Sequence, residues 1–104
     1  MINRIKESLK IEGFRESVFS PNEIFNEHGD PSEYYATRFA SKEAVYKAIS
    51  KYIDIDLRTI ETLNQIDGSP YVVYNEVFSH IGIEKIHISI TTESGLAMAY
   101  CVVE

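Results

Sequence analysis

At 104 residues the chain has the length of one domain, residues 1–104, with a single core and little to spare. Sixteen acidic against ten basic residues leave a net charge of −6 and a pI near 5.0, which argues against general binding to nucleic acid or to an anionic membrane. No apolar run approaches a membrane span, Met1–Glu7 lacks the apolar core of a secretory signal, and the lone Cys101 fits a reducing cytoplasm.

Ile2, Ile5 and Leu9 repeat at helical spacing with Arg4, Lys6, Glu7 and Lys10 on the other faces, and Gly13 is placed to end this first helix. Ser20-Pro21-Asn22-Glu23 is a start signal: a serine cap, proline at the first helical position and a glutamate to close the box. The short helix it opens is expected to run to about His28, with Gly29 as its left-handed stop. Asp30-Pro31-Ser32-Glu33 repeats this grammar and launches a long central helix. Ala36, Ala40, Ala44 and Ala48 form one ridge of that helix; Tyr35, Phe39, Tyr46 and Ile53 form a second, and Val45, Ile49 and Tyr52 fill part of the far side. A helix apolar over most of its circumference is a buried one. Glu43 and Lys47 project between the two ridges, where charges are paired or meet a ligand, because burying them bare is too costly. Spacing leaves two readings open. One is an i,i+4 ion pair worth a few tenths of a kcal/mol; the other is an acid that holds a metal or a proton, one turn from a lysine that neutralises phosphate.

Beyond Lys51 the period changes. Ile53, Ile55 and Leu57 alternate with Asp54, Asp56 and Arg58, which predicts a strand whose aspartates face solvent. The pattern continues through Ile60-Glu61-Thr62-Leu63 to a turn at Asp67-Gly68, and Tyr71–Tyr74 returns as a strand. Asn75 to Gly82 has room for one or two helical turns. Ile86, Ile88 and Ile90 alternate with His87, Ser89 and Thr91, Thr92 to Gly95 turns, and Leu96–Val103 completes a hairpin expected to be buried on both faces. Helices first and strands after give an α+β fold with an antiparallel sheet. His28, His80 and His87 do not stand at zinc-ligand spacing with each other or with Cys101, and His28 reads as a cation at a helix C-terminus. Neither a glycine-rich phosphate loop nor an activated serine or cysteine is visible.

The run Arg38-Phe39-Ala40-Ser41-Lys42-Glu43-Ala44, followed by Lys47-Ala48, resembles the signature helix of the holo-acyl-carrier-protein synthases of the 4′-phosphopantetheinyl transferase superfamily. Val18-Phe19-Ser20-Pro21-Asn22-Glu23 resembles the segment before that family's second helix, and Gly68-Ser69-Pro70-Tyr71 resembles its Gly-x-Pro turn. His87-Ile88-Ser89-Ile90-Thr91 and Ala97-Met98-Ala99 resemble its two closing strands, so the likeness runs from about Arg4 to Val103. It implies a long central helix packed on a small antiparallel sheet. It also implies a transferase of fatty-acid or polyketide biosynthesis: a serine of an apo acyl carrier protein attacks the β-phosphate of coenzyme A, and adenosine 3′,5′-bisphosphate leaves. By the same resemblance Glu43 would be a Mg2+ ligand and a catalytic group, and Lys47 would pair with coenzyme A phosphate. Arg38, Gly68, Ser69, Pro70 and Thr92 would belong to the cofactor pocket. Members of this short class are typically homotrimers with the active site between subunits, which would suit a central helix apolar on nearly every side. Their acidic carrier protein would meet Arg4, Lys6, Lys10 and Arg15, a patch diluted by Glu7, Glu12 and Glu16.

The pattern departs from the family at two places. The family's opening Gly-Ile-Asp strand carries a second metal-binding aspartate; aligned on Arg4-Ile5, that aspartate falls before residue 1. Thr92 stands where the family often has a histidine able to pair with phosphate. Three readings follow: an active transferase with a reduced metal site, a non-catalytic relative that binds coenzyme A or a carrier protein or serves assembly, and an unrelated α+β interaction module.

Overall fold

Reciprocal hydrogen bonds at Ser20 fix the first boundary. In a computed structural model covering Met1–Glu104, Ser20 Oγ accepts from the Glu23 N–H at 3.1 Å and the Glu23 carboxylate accepts from the Ser20 N–H at 2.9 Å. This is the expected capping box, with Pro21 opening the helix. Ser20→Ala is expected to lower unfolding stability in urea by about 1–2 kcal/mol, since it removes the box and a bond from Ser20 Oγ to Glu61.

The chain forms α1 (Ile2–Ser8), α2 (Phe14–Val18), α3 (Pro21–Phe25) and α4 (Pro31–Ile49), then a 3₁₀ turn over Leu57–Thr59. β1 (Thr62–Asn64), β2 (Pro70–Val72), α5 (Glu76–His80), β3 (Ile86–Glu93) and β4 (Leu96–Val103) follow. No helix is long and apolar enough to cross a membrane. Gly13 does not stop the first helix. With φ 85° it caps the start of α2, a helix the sequence reading missed because five residues are too few to show a period. Likewise α3 ends at Phe25 rather than near His28, and Gly29, at φ 70°, belongs to the bend before α4. Asp30 caps α4 as expected, taking the Glu33 N–H at 3.1 Å, and Asn75 caps the short α5.

α4 runs between two cores. Tyr34, Tyr35, Ala36 and Ala40 pack with Ile5, Phe19 and Ala97 in the first; Val45 and Ile49 pack with Ile55, Ile60, Val72, Phe78 and Ile83 in the second. The alanines of the first core present little side chain, so β4 lies close along the helix through its own Ala97 and Ala99. The predicted strand at Ile53–Leu57 does not form. Asp56 turns inward on its own backbone, accepting the Arg58 N–H at 2.9 Å, and so starts the 3₁₀ turn.

The strands make two antiparallel ladders, β1 with β2 and β3 with β4. The first pairs Thr62 with Val72 and Asn64 with Pro70 across the predicted Asp67-Gly68 turn, where Gly68 sits at φ 92°. In the second, Ile86 faces Val103 and Glu93 faces Leu96, so Thr92 is a strand residue and only Ser94-Gly95 turns. Both turn residues have positive φ (52° and 77°), the two-residue connection that suits strand twist. β4 is covered on one face only. Ala97, Ala99, Cys101 and Val103 face the cores, while Leu96, Met98, Tyr100 and Val102 are 47–76% exposed. An all-apolar strand gives no alternation from which to read that asymmetry.

Candidate active site

The strongest polar feature of α4 is one the sequence reading passed over. Tyr35, Arg38, Lys42, Val45 and Ile49 recur at spacings of three and four, and all are buried. Lys42 therefore points into the molecule, where it is fully buried against an equally buried Glu23 at 2.6 Å. Its ammonium also donates to the carbonyls of Leu57 (2.9 Å) and Ile60 (2.5 Å), while Glu23 accepts from the Thr62 N–H at 2.9 Å. Burial pulls the Lys42 pKa down and the Glu23 carboxylate opposes that shift.

Glu43, one residue on, points elsewhere. It is half-buried, Lys47 is exposed, and the two form no ion pair with each other or with any other residue. The helical salt bridge is therefore not what keeps these charges here, nor are they buried between apolar ridges. Both open onto a hollow of about 510 Å³ that Phe39, Tyr46 and Leu57 wall and Asp54 enters. Tyr46 donates its hydroxyl to Asp54 at 2.8 Å, which holds that carboxylate at the rim.

A second hollow, about 340 Å³, lies elsewhere on the chain and collects Arg38, Gly68, Pro70 and Thr92 from the predicted cofactor residues. Arg38 is only 3% exposed, lies 4.5 Å over the Tyr34 ring, and gives one bond to Asn64. Its Nε is buried with no hydrogen-bond partner, an unusual state for a donor. Burial raises the Tyr34 pKa, so that hydroxyl stays neutral and donates to the Glu23 carbonyl at 2.5 Å. Ser69 does not line the hollow: its N–H and hydroxyl are both taken by Asp67, at 2.9 and 2.6 Å. His28, which the sequence marks only as a cation at a helix C-terminus, and Asn64, which nothing in its local sequence marks, do line it. The two hollows share no residue, so a single chain does not bring Glu43 and Lys47 together with Arg38 and Thr92.

The chain as a whole has relatives of known family. Residues 2–101 match the 4′-phosphopantetheinyl transferase superfamily. The chain belongs to that family. It is 41% identical over 98 residues to a holo-[acyl-carrier-protein] synthase of Cytophaga hutchinsonii, covering 85% of this chain and 77% of the relative. A synthase of Fusobacterium nucleatum is 34% identical over 110 residues, covering 98% and 90%. The fold agrees as well. The Helicobacter pylori holo-[acyl-carrier-protein] synthase crystallised in complex with coenzyme A superposes with a TM-score of 0.87 at 30% identity, covering 99% of this chain and 93% of that one. Membership of the phosphopantetheinyl transferase family disposes of the unrelated-module reading.

Proposed function

We propose that the chain transfers the 4′-phosphopantetheine arm of coenzyme A to a serine of an apo acyl carrier protein. The serine oxygen forms a bond to the β-phosphorus, the bond from that phosphorus to the bridging oxygen breaks, and adenosine 3′,5′-bisphosphate leaves with the electron pair. The serine proton passes to water. The observation that carries this reading is the state of Glu43: a carboxylate with no partner, half-buried in a hollow, one helical turn from an equally free lysine.

Such a reaction asks the protein to align two oxygens and to neutralise the charge that builds on the transferring phosphoryl group. Lys47 supplies an exposed positive charge beside Glu43 in the same hollow. The donors present fit magnesium, which is satisfied by one or two carboxylates with water and substrate phosphates. Glu43 would hold it, with Asp54 in the same hollow. When bound, the ion would offset pyrophosphate charge and fix the orientation of its oxygens. Arg38, Gly68 and Pro70 would receive the nucleotide end, with Thr92 at the side. The reading places the reaction in the cytoplasm, where coenzyme A and carrier proteins are found together.

The separation of the hollows also supports an active site completed by a second copy in a homotrimer. The exposed apolar row Leu96, Met98, Tyr100 and Val102 on β4 is the surface such a copy would cover. Met98→Asp with Tyr100→Asp is expected to convert a trimer to a monomer by light scattering and to abolish transfer. The substrates are tested by release of adenosine 3′,5′-bisphosphate, which should require coenzyme A and an apo carrier protein together. Release with coenzyme A alone would mean a hydrolase rather than a transferase.

A further inference from the structure

We propose that Lys42 is a positioning residue for Glu43: its buried pair with Glu23 sets the rotation of α4 and shapes the hollow in which the catalytic carboxylate stands. This rests on the reading of Glu43 given above. Three separate segments meet at the Lys42 ammonium. Glu23 belongs to α3, Lys42 to α4, and the Leu57 and Ile60 carbonyls to the 3₁₀ turn and its exit. The same Leu57 walls the Glu43 hollow, so a single ammonium ties the helix that carries Glu43 to the segment that faces it. Glu23 is itself held from several sides, by the N–H groups of Ser20 and Thr62 at its carboxylate and by the Tyr34 hydroxyl at its carbonyl. Ser41 and Thr62 add a buried hydroxyl contact at 2.6 Å beside it.

A hydrophobic contact at this place would fill the volume but leave the helix free to turn by some degrees, since apolar contacts have no direction. Hydrogen bonds from an ammonium to three partners on two other segments have one geometry. Adjacent positions on a helix point about 100° apart, so whatever fixes the direction of Lys42 fixes that of Glu43. A displacement of about 1 Å at a reacting group is worth roughly a hundredfold in rate.

The test compares stability with turnover in the full chain, using coenzyme A and apo carrier protein. Glu23→Leu with Lys42→Met removes both charges together, and Glu23→Gln keeps the size of the side chain and one of its two N–H acceptors while removing one charge. Both proteins are expected to fold, with kcat lowered about tenfold or more and KM for coenzyme A within about twofold of the parent. Parental kcat in whichever of the two folds would overturn the proposal, because the pair would then serve stability alone. Glu43→Gln, run alongside, separates the two claims: if it keeps parental kcat, the reading of Glu43 fails first. If Glu43→Gln is inactive while the paired variant is fully active, Glu43 stands and Lys42 does not position it.

Discussion

Glutamine in place of Glu43 is expected to lower transfer at least about a hundredfold while leaving the fold as stable as the parent. The carboxylate makes no side-chain hydrogen bond and no ion pair, so the native structure loses nothing when its charge goes. Substitutions at such positions move unfolding free energy by no more than about 0.5 kcal/mol. The transition state loses much more, because a charge that orients the reacting phosphate commonly contributes about a hundred- to a thousandfold in rate. Steady-state transfer and urea unfolding of the same preparation measure the two halves. A fall in stability to match the fall in rate would mean that Glu43 has a structural partner after all.

Lys42→Met is expected to do the reverse, lowering stability by about 3–5 kcal/mol, because it leaves the Glu23 carboxylate charged and without its cation in a fully buried site. Domains of this size have on the order of 5–15 kcal/mol in all, so the variant should sit close to its unfolding threshold at 37 °C. Removing Glu23 as well should restore most of the loss, since a buried ion pair is often no better than apolar side chains of similar volume. Urea midpoints of the two single variants and the double give the coupling directly. Additive losses would show that the two side chains do not act as a pair.

Much of the helical frame was legible because its signals are local. Ser20-Pro21 and Asp30-Pro31 cap with their own side chains, and no distant residue is needed to make them do so. The Ile53–Leu57 alternation misled because an aspartate two residues before an N–H can cap a turn as readily as it can face solvent from a strand. The exposed half of β4 was hidden for another reason: with apolar residues at all its positions, only the packing of α4 decides which face is covered. At the site, the Glu43–Lys47 spacing left an ion pair and a ligand-binding acid both open, and the structure forms no ion pair between them. Lys42 was passed over. Its place in the series Tyr35, Arg38, Val45 and Ile49 marked it as a core position, and reading that spacing would have exposed a buried cation in search of a carboxylate. That Arg38 and Glu43 open onto different hollows depends on where β2 and β3 lie, which no short-range pattern specifies.

The intact mass of an apo acyl carrier protein after incubation with coenzyme A and the chain, with magnesium or with a chelator, tests the central claim most directly. Addition of one phosphopantetheine group is expected with magnesium, none with the chelator, and far less in the same time with Glu43→Gln. An unmodified carrier protein in the presence of magnesium, or equal modification by Glu43→Gln, would contradict it.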